Sequence, residues 1–401
     1  MAFRGAEVPE GHVIRSYRVK VMSTRAKHRR ATGMLVAAGD AWSFCIDRFH
    51  ERIRAELPNA NSLIQLWPDQ KAHGPFGDLS AHCAQDVTKA WSSAYFEAIR
   101  RRKLGQKAAL PLKKRYLVPV TWRRGEFSLV PSSARTRARV ELATRRRTEN
   151  LVLALSHDHP YDPDLVRCVR LVSQAGELFL DVTAWVAVTP LEVTSGLMAG
   201  VDPGIIHPLA VAAASKALLV SGRASRAEEF LHLEDSKARA KKSSTKRAPV
   251  RAKPGSPRRA GSRAWRQQVA ESRSRRVVAL AANRAARLAA GFIEQAKAWR
   301  VVIGDPTGVR EKDAGAVANR RTHRWLVVHT TKALRYRLEE VGIDAELTDE
   351  RGTSSHCPDC GAVARKRGRV LVCTDPACLT VHHRDVAGAQ TWSGNWAVHR
   401  V

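Results

Sequence analysis

Apolar residues recur along this chain with two different periods, and the switches between them divide it. Residues 16–23, SYRVKVMS, alternate as a short strand does. Over 26–57, Leu35, Ala38, Trp42, Cys45, Ile46, Phe49 and Ile53 return every three or four positions, which predicts an amphipathic helix. A second helix is expected from about Ser80 to Arg102, with Val87, Ala90, Trp91, Tyr95, Phe96 and Ile99 as its core face and a basic end, IRRRKLGQK. From about Leu110 to Val193 the period falls to two. RYLVPVTW, EFSLV, ARVEL, LVLALSH, VRCVRLVSQ and ELFLDVTAWVAV read as strands parted by Gly, Pro, Asp and Asn turns. One strand ahead of the helices and several behind them predict a β-barrel with a helical insertion.

The pattern changes again at 197–220, LMAGVDPGIIHPLAVAAASKALLV, where two apolar runs flank a Pro203-Gly204 turn and the second ends near Ala214. That is an antiparallel pair with Asp202 at the end of its first strand. A carboxylate there is costly unless it binds something, typically a metal, or merely caps the turn. A helix follows from Ala264 to about Trp299, with Val269, Leu280, Leu288, Phe292, Ile293 and Ala296 inward. RVVIGDPTGV (300–309) is a buried strand ending at Gly304-Asp305. A helix from about Arg324 to Val341 and the strand IDAELTDE come next, and His383-Arg384-Asp385-Val386-Ala387 opens a last helix. Acids stand where these elements end or begin: Asp202, Asp305, Glu350 and Asp385. The order is that of an RNase H-like fold, whose carboxylates gather at one edge to hold two divalent ions.

Between the last strand and helix lie four of the seven cysteines. Cys357 and Cys360 form a Cys-x2-Cys knuckle with Pro358 and Gly361 as its turn residues. Cys373 and Cys378 form a Cys-x4-Cys half. Two short-spaced pairs joined by a small loop match the tetrahedral donor set of a structural zinc ribbon. Cys45, Cys83 and Cys168 are scattered and expected to be reduced and buried.

Charge then narrows the partner. The 401 residues carry 68 Lys+Arg against 38 Asp+Glu, a net charge near +30, with 44% hydrophobic residues. A folded chain this basic works beside a polyanion. The excess peaks between Lys237 and Arg276, where Glu271 is the single acid. A flexible basic loop there (KKSSTKRAPVRAKPGSPRRAGS) leads into the helix, and Lys241, Lys242, Arg258, Arg259, Arg273 and Arg276 are candidate phosphate contacts. A solvated loop without a partner is the plain alternative. MAFRGAEVPEGH lacks an apolar core and no run of 18 apolar residues occurs, so neither a signal peptide nor a membrane span is expected. A cytoplasmic, nucleoid-associated nucleic-acid protein is the expectation.

GVDPGIIHPLAV resembles the first RuvC motif of the TnpB family, the insertion-sequence-encoded relatives of type V CRISPR effectors. RGTSSHCPDCG followed by VLVCTDPACLTVHHRDVAGAQ resembles that family's ribbon and third RuvC motif, YTSQTCxxCG…C…RDxNAA. TKALRYRLEEVGIDAELTDE resembles the helix and strand leading into it. The similarity is at motif level from about 197 to 392. It is looser over 1–196, where SAHCAQDVTKAWSSAYFEAIRR resembles a characteristic helix. The resemblance implies a multi-domain α+β chain: 1–24 and 109–193 as a β-barrel (wedge) domain, 25–108 as its helical recognition insertion, 194–355 as the RuvC-like nuclease domain, 356–380 as the inserted zinc ribbon, and 381–401 as the last helix and tail. It implies a transposon-associated, RNA-guided endonuclease with a guide RNA and double-stranded target DNA as partners, and base pairing as the source of specificity. Asp202 would bridge two Mg²⁺ ions, with Glu350 and Asp385 holding one each.

The family usually has Glu where this chain has Gly304. Some members with Gly-Asp there carry the Glu just ahead of the TSS/TSQ segment, which points to Glu350. Asp305, or loss of cleavage, are the alternatives. Ala387 and Gly388 replace Asn-Ala, a change expected to touch helix packing more than metal. His382 and His383 are either spare zinc ligands or exposed, phosphate-facing residues. A cleavage-inactive RNA-guided repressor and a transposase acting on DNA ends are the other function classes left open.

Overall fold

The computed structural model describes residues 8–48, 77–174, 176–224, 226–228, 230, 231, 234, 263–305, 326–349 and 355–393. The chain divides into two compact units, one built mainly from Ile14–Val186 and the other mainly from Ala187–Arg247 and Ala270–Val401.

In the first unit β1 (His12–Lys20) leads into α1 (Arg25–Arg48) and α2 (Ala81–Lys103). The helix expected over 26–57 is described only to Arg48. Ser80 caps α2 by accepting from the Cys83 amide at 3.2 Å, and Arg100, Arg101, Arg102 and Lys103 face the negative end of its dipole. Six strands follow: β2 (Val120–Arg123), β3 (Phe127–Val130), β4 (Arg139–Leu142), β5 (Leu151–Ala154), β6 (Val166–Gln174) and β7 (Glu177–Ala187). They pair with β1 as two antiparallel sheets, β1-β7-β6-β2 and β3-β4-β5. A Val21–Leu155 bridge stitches the sheets at one end, and a turn joins β2 to β3 at the other. A β-barrel with a helical insertion is the expectation from sequence; the described strands pair as two joined sheets over one core, with α1 and α2 between β1 and β2. Trp91 and Trp122 are the core's largest fully buried members, and their indole N–H groups donate to Pro111 O (3.2 Å) and Ala143 O (2.7 Å). Cys45, Cys83 and Cys168 are buried here, as expected; burial pushes the Cys45 and Cys168 thiols up to about 11 and Cys83 to about 12, out of reactive range.

The second unit is organised by a five-stranded sheet. Its strands are β8 (Thr194–Asp202), β9 (Leu209–Ala213), β10 (Lys216–Val220), β11 (Ala298–Asp305) and β12 (Asp344–Asp349), in the order β10-β9-β8-β11-β12. β9 is antiparallel to β8 and β10, whereas β11 runs parallel to both β8 and β12. This is the strand order and direction of an RNase H-like sheet, as the element sequence suggested. The second run ends at Ala213, near the expected Ala214, and the hairpin gains a third strand beyond it: Ala214 takes φ +51° and turns the chain into β10. α3 (Arg263–Gln295) and α4 (Leu326–Glu340) cover one face, and α5 (Arg384–Trp392) covers the other.

Two expectations about α3 change. It stops at Gln295 rather than Trp299, because Lys297 adopts φ +56° and the strand starts at Ala298. Leu280 and Leu288 are exposed, not inward; Ala285, Ala286, Ala289, Ala290 and Ile293 meet the sheet instead. Alanines permit a closer approach of helix to sheet than leucines do. The ribbon comprises β13 (Ala364–Arg367), β14 (Val370–Cys373) and β15 (Val381–His383), a small antiparallel sheet directly ahead of α5.

Candidate metal centres and nucleic-acid surface

Three parallel strands end at one edge of the large sheet, and each ends in an aspartate: Asp202 on β8, Asp305 on β11 and Asp349 on β12. Strand alternation sorts them. Ala199, Val201, Val301 and Ile303 are buried beneath α3 and α4. Gly200 pairs with Val302, so Gly200 and Asp202 turn to the α5 face and Gly304 shares that face. Asp305 has the parity of Val301 and Ile303 and faces the other way. Gly304 therefore occupies the place beside Asp202 where a longer carboxylate could have stood. On β12, Thr348 is Gly304's partner and Asp349 is Asp305's. Glu350, the next residue, lies outside the described residues. Glu346 is engaged by an ion pair with Arg300.

Asp385, in the first turn of α5, is buried, at 9% exposure. Burying a carboxylate is costly without compensation. Here Arg369 Nη1 lies 3.2 Å and His207 Nδ1 2.8 Å from its Oδ2, with Arg384 Nε 3.8 Å from Oδ1. Asp202 reaches the same helix. A Cβ at Gly388 would stand 2.6 Å from Asp202 Oδ2, and one at Gly200 would stand 1.9 Å from Ala389 O. Glycine at both positions lets α5 lie directly on β8, one helical turn separating Asp385 from the residue under Asp202. Gly388 is thus in contact with the carboxylate itself, not simply a packing position as the sequence suggested. Two carboxylates brought to one helix face supply the hard oxygen donors that Mg²⁺ takes. His207 and Arg369, which pair with Asp385, were not singled out from sequence.

The four ribbon cysteines converge, all their sulfurs lying within 4.8 Å of one another. Cys360 and Cys373 are 3.4 Å apart and Cys357 and Cys378 3.9 Å. Tetrahedral zinc with sulfur at 2.3 Å needs about 3.8 Å between sulfurs, so the donor set fits that ion. The knuckle is closed by Gly361 N donating to Cys357 O (2.9 Å), with Gly361 at φ +77°. Hydrogen bonds from the Thr380 hydroxyl and backbone pull the Cys378 thiol down to about 7, whereas, against the Ala362 backbone amide, burial and the neighbouring thiols push Cys360 up to about 12, so without an ion the cluster keeps some of its protons. His382 bonds Asp359 (2.7 Å), while His383 packs edge-on against His207 with ring centroids 5.3 Å apart.

Arg273 and Arg276 are exposed on α3, as are Arg284 and Arg287. Lys241, Lys242, Arg258 and Arg259 lie outside the described residues. The ribbon hairpin adds exposed Arg365, Lys366 and Arg367. No helix of the described residues is long and apolar enough to cross a membrane.

Residues 329–391 match the Cas12f1-like TNB domain family. That segment runs from α4 through the cysteine cluster to α5. The whole fold is similar to that of a Cas12f1 solved with sgRNA and target DNA, with TM-score 0.63 and 12% identity over 96% of this chain and 99% of that one. It is also similar to Cas_phi3, a mini-RNA-guided endonuclease, with TM-score 0.50 and 10% identity over 96% and 92% of the two chains. No curated protein matches the chain in sequence. The chain is a multi-domain α+β protein whose fold is similar to that of these two structures, with a Cas12f1-like TNB domain over residues 329–391.

Proposed function

We propose that the chain is an RNA-guided DNA endonuclease of the TnpB kind, cutting with a RuvC-type acidic site. The observation that carries this reading is that Asp202, at the carboxyl edge of an RNase H-ordered sheet, lies against Gly388 of α5, one helical turn from the buried Asp385. Glu350, outside the described residues, is the third carboxylate of this reading, because it stands just ahead of the Thr353-Ser354-Ser355 segment where some members of the resembling family carry the Glu. Divalent ions bound there supply an activated water and steady the leaving 3′ oxygen. Asp202, Glu350 and Asp385 would hold these ions through their carboxylate oxygens. His207 and Arg369 hold the Asp385 carboxylate in place and offset its charge until an ion and nucleic acid arrive.

In this reading the two sheets of the first unit are one barrel interrupted by α1 and α2, which grip the guide RNA and its heteroduplex with target DNA. The four cysteines of the ribbon would hold one structural Zn²⁺. Arg273 and Arg276, with the basic loop ahead of them, contact phosphates. Sequence would be read by pairing, and the protein would read shape and backbone. Gly304 favours a second reading, a guided binder that does not cut, because the usual middle carboxylate is missing from its place beside Asp202.

The experiment is purification of the chain expressed with its flanking DNA, sequencing of the RNA that co-purifies, and binding to DNA matching that RNA. A discrete RNA species and matched-target binding are expected. A preparation without RNA that still binds DNA ends would overturn guidance and favour a transposase.

A further inference from the structure

We propose that His207, His383 and Asp385 form a mixed imidazole–carboxylate site that binds a borderline divalent transition ion, of the Mn²⁺, Fe²⁺ and Co²⁺ class, in preference to Mg²⁺. One donor atom from each of the three lies within 4.8 Å of the others. They come from two pieces of backbone: His207 from the turn after β8, and His383 and Asp385 from the junction of β15 and α5. His207 Nδ1 and Asp385 Oδ2 are 2.8 Å apart. Adjacent donors on an octahedral ion at about 2.1 Å lie about 3 Å apart, so this pair already has the spacing of two neighbouring ligands.

The third donor is the more telling one. His383 Nδ1 is buried and has no hydrogen-bond partner. Buried polar atoms are nearly always paired, and one that is not asks for an ion or water it has been shaped to meet. The His383 ring meets His207 at 72°, so both imidazoles border the same space beside Asp385. Two histidines and one carboxylate with open positions suit Fe²⁺-like ions, whereas Mg²⁺ prefers oxygen donors and keeps its waters. Arg369 and Arg384 oppose a cation at Asp385. Their side chains are 39% and 38% exposed and can swing toward solvent or nucleic acid, so they lower the affinity without closing the site.

The binding claim stands on these three side chains. Its use rests on the nuclease reading, since an ion on Asp385 sits at the cutting edge. The full-length, zinc-loaded protein is titrated with Mn²⁺ in the absence of nucleic acid and followed by electron paramagnetic resonance. The parent is expected to bind one Mn²⁺ with nitrogen hyperfine coupling, and Mg²⁺ to compete at least tenfold more weakly. His207→Ala and His383→Ala should each weaken binding at least tenfold, and together abolish the nitrogen coupling. Unchanged zinc content and circular dichroism establish that the variants fold. Should the alanines fail to fold, His207→Gln, which keeps the bulk, carries the test with the same expected loss. Mn²⁺ bound without nitrogen coupling, or equally by parent and variants, overturns the proposal. Guided cleavage in Mg²⁺ on the same preparations separates the two ideas. Cutting with no histidine-dependent Mn²⁺ site sinks only this inference. A histidine-dependent Mn²⁺ site in a protein that never cuts sinks only the nuclease reading.

Discussion

Gly200→Ala tests the β8–α5 contact, from which the site reading follows. The added Cβ would stand 1.9 Å from Ala389 O, 2.8 Å from Trp392 Cβ and 3.0 Å from Ala389 C. Non-bonded carbon contacts settle near 3.5 Å, so α5 has to withdraw by more than about 1 Å. β8 cannot yield in its place, because Gly200 is paired with Val302 on one side and Ala212 on the other. Overpacking of this kind costs about 1–3 kcal/mol, equivalent to a fall of roughly 2–12 °C in the Tm of a unit this size. The chemical effect should be larger. Asp385 rides on α5 and Asp202 on β8, so the withdrawal changes their separation directly, and a misplacement of about 1 Å can cost a hundredfold in rate. Thermal unfolding of the zinc-loaded protein reads the first effect and guided cleavage the second. A Gly200→Ala protein that melts with the parent and cuts at its rate would refute the argument.

Cys373→Ser should reduce bound zinc from one per chain to near none and lower the Tm, as metal analysis and melting would reveal; a zinc-free parent counts against the ribbon. Chelation or mild acid should release the same zinc, because protons compete for its thiolates, and the melting temperature should fall in step. Replacing Arg273 and Arg276 together by Gln should flatten the salt dependence of nucleic-acid binding by roughly one to two log-log units; an unchanged slope removes them from the interface. Glu350→Gln should abolish Mg²⁺-dependent cutting while leaving target binding intact, and Asp305→Asn should still cut, because Asp305 has the parity of the opposite sheet face. The reverse pattern would make Asp305 the third carboxylate.

The sheet that carries the site was legible because its strands end in turn chemistry: Asp202 before Pro203-Gly204, and the β-branched run Val301-Val302-Ile303 before Gly304-Asp305. The cysteine cluster was legible from spacing, since ligands drawn from two tight turns have a local signature. What escaped was set at a distance. His207 and Arg369 meet Asp385 from 178 and 16 residues away, and no local pattern marks a partnership of that kind. Leu280 and Leu288 had the right helical period for a core, but the face of α3 that meets the sheet is lined by alanine. KALLV did not stand out as a third strand because the residue that turns the chain into it is Ala214, whose φ of +51° nothing in its side chain announces. Gly388 looked like a packing residue until the strand opposite it proved to end in the carboxylate it touches.

The most direct test of the account is cleavage of a matched plasmid by the purified protein–RNA complex in Mg²⁺, run beside Asp202→Asn. The parent should linearise a plasmid that pairs with its RNA and spare one that does not, and the near-isosteric Asp202→Asn complex should bind the matched plasmid without cutting it. A parent that binds the matched plasmid and leaves it intact with every divalent ion, or an Asp202→Asn complex that cuts as the parent does, would contradict the account.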